Sequence, residues 1–300
     1  MEAAYISPAV TVFREDGSLD TESQGRLYEH LIRNGVDGIL AEGSAGEFFA
    51  MSPAQRRELA RFAAACIAHR VRLIIGATAM EKTEMIAFAD FCLEQGADAV
   101  MILPPYYFQL SQEALFHYYS TLAREIHGPL YIYNFPATTG NALQAGTVLR
   151  IAEKHANVVG IKDTITGMDH TRELINTVKS RIPSFEVYSG FDENFAHNVL
   201  SGGSGAIAGL SNVVPEFTSA WVRACRQGDP DGIAAGQQRI NRLMSLYAVS
   251  QPFLPALKEA LRLRGIVPSG ACAFPSETLS EAQSGQIRSL LLAEGLRLPV

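Results

Sequence analysis

LYIYNFPATTGNALQAGTVLRIAEKHANVVGIKDT, residues 130–164, holds two short apolar runs separated by a stretch long enough for a helix. The runs at 130–133 and 158–161 are rich in β-branched and aromatic residues, as is typical of buried strands. A strand, a helical stretch and a second strand in this order predict a parallel βαβ unit. Each run is followed by a polar side chain, Asn134 after the first and Lys162 after the second.

The same alternation recurs along most of the chain at intervals of about 20 to 35 residues, the length of a βα unit. Eight runs predict strands, at residues 8–13, 38–41, 72–77, 99–103, 130–133, 158–161, 186–188 and 206–208. Eight units favour closure into a (β/α)8 TIM barrel over an open sheet. No Gly-x-Gly-x-x-Gly motif follows the first run, which argues against a dinucleotide-binding sheet.

The strand pattern stops after Trp221, and helical stretches interrupted by turn-forming residues follow it. The interruptions are Gly228-Asp229-Pro230, Gln251-Pro252 and Pro268-Ser269-Gly270. We therefore predict a catalytic barrel at residues 1–224 and a helical C-terminal extension at residues 225–300.

Composition restricts the class of protein further. The chain has a formal net charge of -6, which argues against nucleic-acid or anionic-membrane partners. Its four cysteines form no Cys-x-x-Cys pair, its N-terminus lacks the pattern of a secretory signal, and no apolar run reaches the roughly 18 residues of a membrane span. We expect a cytoplasmic enzyme. The seven histidines show no metal-ligand spacing, so no metal is expected.

Lys162 is the most informative polar residue. Strand alternation puts Val158, Gly160 and Lys162 on one face, and Val159 and Ile161 on the other. If Lys162 faces the barrel interior it is partly desolvated, and desolvation favours the neutral amine that attacks a carbonyl. Alternatively, Lys162 pairs with its neighbour Asp163 or extends to the barrel rim.

Tyr133 ends the neighbouring strand, so its phenol is expected near the Lys162 amine, where it could relay protons during imine formation. The alternative is an aromatic ring that only fills the barrel. The Gly43-Ser44-Ala45-Gly46 turn follows the second run and offers backbone N–H groups for a carboxylate, or is simply a tight turn. The loop at 202–205 could hold a phosphate, but it lacks the lysine of a P-loop.

Several motifs together resemble the dihydrodipicolinate synthase / N-acetylneuraminate lyase family of pyruvate-dependent class I aldolases. They are GSAGE at 43–47, PPYY at 104–107, YNFP at 133–136, GIKDT at 160–164 and GFDE at 190–193. The resemblance extends from about Tyr5 to Gly265. It implies a carbon–carbon lyase that needs neither a metal nor pyridoxal phosphate, because a lysine forms the imine with pyruvate.

The resemblance also assigns roles. Lys162 corresponds to the imine-forming amine and Tyr133 to the phenol that moves protons and contacts the pyruvate carboxylate. Ser44 corresponds to the hydroxyl that links Tyr133 to Tyr107, which reaches in from a neighbouring subunit. This implies a homo-oligomer, a tetramer built as a dimer of dimers. The N–H groups of Ser44 and Ala45 would hold the pyruvate carboxylate, and Ile207 would lie beside the imine.

Departures from the family pattern restrict the range of possible substrates. Thr138 stands where synthases of the lysine pathway carry an arginine for a substrate carboxylate, and Ala45 replaces a hydroxyl residue. The resemblance further implies that the hydroxyl-bearing end of a substrate would be bound by Thr164, Gly190, Asp192 and Glu193. The leading hypothesis is reversible cleavage of a 2-keto-3-deoxy sugar acid to pyruvate and an aldehyde.

The sequence also permits several alternative functions. Within the family they are N-acetylneuraminate lyase, dihydrodipicolinate synthase and dehydratases that use the same lysine. Gly209 stands where N-acetylneuraminate lyases often have a serine, which weakens that rival. Outside the family, the chain could be a catalytically idle barrel that binds a keto acid, or a phosphate-binding isomerase that uses a carboxylate base.

Overall fold

Eight parallel strands form a closed barrel in the computed structural model, which describes residues 1–273 and 276–299. Each strand pairs with the next in sequence, and the last pairs with the first. The strands are β1 Ala4–Pro8, β2 Gly38–Ala41, β3 Arg72–Gly76, β4 Ala99–Ile102, β5 Leu130–Asn134, β6 Val158–Asp163, β7 Glu186–Ser189 and β8 Gly205–Ile207. The predicted (β/α)8 barrel is confirmed.

Helices surround the barrel and continue beyond it. Those between strands are α1 Thr21–Arg33, α2 Pro53–Ile67, α3 Lys82–Glu94, α4 Gln112–Glu125, α5 Pro136–Thr139, α6 Ala145–Lys154, α7 Asp169–Leu174 and α8 Phe195–Leu200. After β8 come α9 Pro215–Gln227, α10 Pro230–Leu243, α11 Leu254–Leu263 and α12 Glu281–Ala293. Because α9 spans residues 224 and 225, the predicted domain boundary lies inside a helix, and the division into two units stays a prediction.

Strand alternation divides the core into two layers. Tyr131 and Tyr133 of β5 point into the barrel with Ile6 and Met101, where they form an interior cluster. Leu130 and Ile132 of the same strand point outward and pack against the helices. Side chains therefore fill the barrel interior, and the site lies at one end of it.

The position of the first strand was predicted wrongly. The apolar run at 8–13 is buried, but β1 is Ala4–Pro8. Beyond Pro8 the chain leaves the sheet, and the Val10 N–H donates to the side-chain oxygen of Asn212 at 3.1 Å. A side chain thus replaces a neighbouring strand as the acceptor, so hydrophobicity alone did not distinguish this buried loop from a strand.

The predicted faces of β6 are wrong at its start. Its register against β5 shifts between Leu130 and Tyr131, so that Tyr131 pairs with Gly160 and Val159 is the extra residue. Val158 consequently packs outward with the helices, whereas Val159 packs against the interior cluster. After this β-bulge the alternation resumes. Lys162 then lies directly opposite Tyr133.

Candidate active site

A cavity of about 620 Å³ lies at the C-terminal ends of the strands. Substrates are bound at this end in (β/α)8 barrels. Nine of the ten predicted site residues line the cavity: Ser44, Ala45, Tyr133, Lys162, Thr164, Gly190, Asp192, Glu193 and Ile207. The tenth, Tyr107, does not.

The Lys162 side chain is buried, with 4% of the residue exposed, and its amine lies 4.4 Å from the centroid of the Tyr133 ring. Among the described residues, no carboxylate lies within 4.0 Å of this amine. Asp163 points to the other face of β6, where Asn134 donates to it at 2.7 Å. The alternatives that pair Lys162 with Asp163 or place it at the rim are therefore wrong.

The Tyr133 hydroxyl lies 3.3 Å from the Ser44 hydroxyl, within hydrogen-bonding distance. Ser44 belongs to the turn that follows β2, and the N–H groups of Ser44 and Ala45 donate to no acceptor within the described part of the chain. Free N–H groups beside a buried amine form a suitable position for a substrate carboxylate. The predicted lysine, tyrosine and turn therefore share one cavity.

Two other residues of the cavity lining carry buried polar atoms without partners among the described residues. The hydroxyl oxygen of Thr164 and one carboxylate oxygen of Glu193 are buried, and neither has a hydrogen-bond partner in the described chain. Burial raises the pKa of Glu193. Buried polar atoms normally have partners, so these two are candidates for contacts with substrate. Gly190 permits the close packing here, since a Cβ at this position would lie 1.8 Å from the Thr164 hydroxyl oxygen.

Asp192 lines the cavity, but its carboxylate is already held by other parts of the chain. The Tyr5 hydroxyl donates to it, as do the Tyr247 hydroxyl at 2.7 Å and the Leu210 N–H at 3.0 Å. Burial raises the pKa of Asp192, against the opposing effect of these hydrogen bonds. Of the two acidic residues, Glu193 is thus the one with an unpaired buried oxygen.

The sequence did not predict that the C-terminal part of the chain closes the cavity. Met244, Tyr247 and residues 250–253 all line it. The sequence feature that corresponds to this closure is Gly209, because a Cβ at this position would lie 2.6 Å from the Tyr247 hydroxyl oxygen. A small residue at 209 therefore makes room for a side chain that comes from far along the sequence.

Tyr107 lies outside the cavity of its own chain. It is 82% exposed, and its ring makes an edge contact with Phe108 at a centroid distance of 5.0 Å. Its predicted role in the site of a neighbouring subunit stays a prediction. Thr138 is also exposed and outside the cavity, and its hydroxyl donates to the Phe135 carbonyl at 3.1 Å.

The described residues contain no group of three or more histidine, cysteine, aspartate or glutamate side chains that could hold a metal ion. No helix among them combines the length and apolar character needed to cross a membrane.

Residues 2–294 match the Dihydrodipicolinate synthetase family, and the chain belongs to that family. It is thus an aldolase-type lyase, as the resemblance of its motifs implied.

Two relatives from Escherichia coli K12 cover nearly the whole chain. One is the "Probable 2-dehydro-3-deoxy-D-pentonate aldolase YjhH", 37% identical over 298 residues and covering 99% of each chain. The other is YagE, 35% identical over 286 residues and 95% of each chain, whose name assigns it provisionally as a 2-dehydro-3-deoxy-D-gluconate aldolase.

Two solved structures have the same fold. The crystal structure of YagE in complex with pyruvate superposes with a TM-score of 0.95 at 34% identity, covering 98% of this chain and 99% of YagE. Dihydrodipicolinate synthase from Aquifex aeolicus gives a TM-score of 0.92 at 26% identity, with complete coverage of both chains (100% each).

Proposed function

We propose that the protein reversibly cleaves a 2-keto-3-deoxy sugar acid to pyruvate and an aldehyde through an imine on Lys162. The observation that carries this proposal is the buried Lys162 amine, unpaired among the described residues and 4.4 Å from the Tyr133 ring. A buried primary amine that no carboxylate holds is available to attack the carbonyl group of a bound keto acid. The names of the two Escherichia coli relatives support the substrate class.

In the cleavage direction, the Lys162 amine adds to the C2 carbonyl of the sugar acid. The resulting carbinolamine loses water to give a protonated imine, with Tyr133 as the proton donor. The imine then accepts the electron pair of the breaking C3–C4 bond, while the C4 hydroxyl loses its proton to the tyrosinate and the aldehyde departs. Protonation of the enamine at C3 and hydrolysis release pyruvate and regenerate the lysine. No metal or pyridoxal phosphate is needed for any of these steps.

The polar groups of the cavity suit the two ends of such a substrate. The free N–H groups of Ser44 and Ala45, which line the cavity, are suited to the pyruvate carboxylate. The unpaired oxygens of Thr164 and Glu193 are suited to the hydroxyl groups of the remaining chain, since a carboxylate accepts hydrogen bonds from hydroxyls. Thr138 offers no guanidinium for a second carboxylate, which argues against aspartate semialdehyde as the partner.

The test is borohydride reduction in the presence of pyruvate, with the modified residue identified by mass spectrometry. We expect an adduct on Lys162, and we expect Lys162→Ala to lose both adduct and activity. Lys179→Ala is the matched control, because Lys179 lies at the other end of the barrel, near Ser204. An unmodified wild-type chain under saturating pyruvate contradicts the proposal.

A substrate panel tests the chemical class separately. Pyruvate release from 2-keto-3-deoxy pentonates and hexonates should exceed that from N-acetylneuraminate, and consumption of aspartate semialdehyde with pyruvate should be slow. Rapid turnover of aspartate semialdehyde would show that the interpretation of Thr138 is wrong, while leaving the imine chemistry intact.

A further inference from the structure

A second polar network lies behind the candidate catalytic pair, on the outer face of the same two strands. Asn134 and Asp163 follow Tyr133 and Lys162 directly, and the two residues pair across β5 and β6. The Asn134 amide donates to the Asp163 carboxylate at 2.7 Å. Both residues are fully buried. This contact thus fixes the strand register one residue beyond the lysine–tyrosine pair.

His170 completes the network from α7. One ring nitrogen, Nδ1, lies 3.0 Å from the Asp163 carboxylate, and the other, Nε2, lies 2.8 Å from the Leu143 carbonyl oxygen. A neutral imidazole has a single N–H, so it can donate to only one of these two acceptors. Only the doubly protonated ring satisfies both. Thr171 supplies a further donor to the same carboxylate, at 2.6 Å.

The groups around the ring favour its charged form. Burial opposes protonation, but the hydrogen bond and the charge of Asp163 outweigh it and raise the pKa of His170. Glu173, on the same helix, adds to this effect. The segment before α6 presents the neutral Leu143 carbonyl to the network, and β5 presents the neutral Asn134 amide. No cation that would lower the pKa of His170 is therefore among the principal groups that act on the ring.

We propose that His170 is a positioning residue for the candidate catalytic pair, holding Asp163 as an imidazolium anchored on the Leu143 carbonyl. Asp163 in turn holds Asn134, and this fixes β5 against β6 so that the Lys162 amine stays beside Tyr133. The role assigned to His170 rests on the proposed imine chemistry of Lys162. Loss of one proton from His170 leaves either the Leu143 carbonyl or the Asp163 carboxylate without its donor, so the ring no longer ties this carboxylate to the Leu143 backbone.

The test compares kcat and KM for pyruvate release across pH in wild type, His170→Gln and the control His155→Gln. His155 is another buried histidine, and its Nε2 has no partner within the described chain. We expect wild-type kcat to fall as pH rises through the raised pKa of His170. His170→Gln should lose about tenfold in kcat at lower pH. Its KM should change little, and it should lack the alkaline decline that His155→Gln retains.

A measurement on the wild-type protein keeps the inference testable if His170→Gln does not fold. Nitrogen NMR of ¹⁵N-histidine-labelled protein should show both ring nitrogens of His170 protonated at neutral pH, with a titration midpoint that matches the fall in kcat. A neutral ring at the pH of maximal activity overturns the inference. So does a kcat in His170→Gln equal to that of His155→Gln.

The outcomes separate the two proposals. If wild type forms the pyruvate adduct and His170→Gln retains full kcat, only the role of His170 is wrong. If wild type forms no adduct, the proposed function fails, and the positioning role fails with it.

Discussion

At the scale of single residues, the cavity wall contains a close contact between Gly190 and Thr164 that leaves no room for a side chain at position 190. Gly190 and Thr164 lie on adjacent strand ends, and the Gly190 N–H donates to the backbone carbonyl of Asp163 at 2.8 Å. Backbone and side chain therefore meet where Thr164 presents its unpaired hydroxyl. Any side chain at 190 must displace that hydroxyl.

Gly190→Ala is expected to lower kcat/KM for the sugar acid by about tenfold or more, because the added methyl group displaces the Thr164 hydroxyl from its place in the cavity wall. The added Cβ would lie 1.8 Å from the Thr164 hydroxyl oxygen. The measurement is steady-state kinetics. Gly146→Ala is the control, since a Cβ there meets nothing within 4 Å. Equal kinetics in the two variants contradict the assigned contact.

At the scale of secondary-structure elements, a buried arginine joins α2 to the ends of β2 and β3. Arg56 donates to the Glu42 carboxylate at 2.7 Å, and to the carbonyl oxygens of Gly76 at 2.7 Å and Thr78 at 2.8 Å. Arg56 is 7% exposed and Glu42 1% exposed. The helix is thus fixed to the strand ends beside the turn that carries Ser44.

Arg56→Met is expected to reduce the free energy of unfolding by about 3 to 5 kcal/mol, because it leaves Glu42 buried without its partner. Denaturant unfolding measures this loss. Arg33→Met is the control, since the Arg33 side chain is 77% exposed and its removal should matter little. The double variant with Glu42→Leu should recover part of the stability. No recovery would indicate that packing, and not the unpaired carboxylate, causes the loss.

A second element-scale contact makes the last helix sensitive to acid. The Glu294 side chain, at the end of α12, is 5% exposed and accepts from Arg242 of α10 at 2.6 Å. This hydrogen bond is the largest cause of the lowered pKa of Glu294. A carboxyl with a lowered folded-state pKa stabilises the fold above its ordinary pKa. The stabilisation is lost as pH falls through the lowered value.

Protection of α12 from hydrogen exchange should therefore decrease as pH falls through the lowered pKa of Glu294. Glu294→Gln should show part of that loss already at neutral pH, and the loss should be small because the Arg242 side chain is 58% exposed. Exchange mass spectrometry of residues 281–293 measures the effect. Glu277→Gln, at an exposed position, should retain wild-type protection. Identical protection in both variants would show that Glu294 does not hold the helix.

At the scale of the whole molecule, an exposed aromatic loop follows β4. Tyr107 and Phe108 are 82% and 74% exposed. The Asn141 amide nonetheless holds the loop backbone by donating to the carbonyl oxygens of Pro105 at 2.7 Å and Phe108 at 2.9 Å. A fixed backbone that presents bare aromatic rings suits burial against a second copy of the chain.

Co-expression of Lys162→Ala with Tyr107→Phe tests whether Tyr107 acts in a neighbouring site. Each variant alone should have low activity. In Tyr107→Phe the activity should fall by at least about tenfold, because this variant lacks the hydroxyl that would complete the proton relay. In a mixed pair, one site combines an intact lysine with an intact partner tyrosine, so random pairing should restore about a quarter of wild-type activity. If Tyr107 acts within its own chain, co-expression restores nothing.

The sequence by itself determined the barrel, the strand ends that form the site, and the Lys162–Tyr133 pair. Each of these follows from a local pattern: strand and helix periods recur along the chain, and parallel strands bring their C-terminal ends to one face. Neighbouring strands in the sequence are neighbours in the barrel, so residues at two successive strand ends meet without further information. The structure departed from these patterns at β1, which ends at Pro8 although its predicted run extends to residue 13, and at the start of β6, where a bulge changes the register.

Tertiary structure alone decided which side chains form hydrogen bonds with residues that are far away in the sequence. Asp192 is held by Tyr5, which is 187 positions away, and by Tyr247, which is 55 positions away and comes from beyond the barrel. The interior place of the loop after β1 likewise depends on Asn212, 202 positions from its partner. No repeating pattern in the sequence predicts such pairs. Hydrogen-bonding groups find their partners only when packing brings them together, and that is decided by the whole chain.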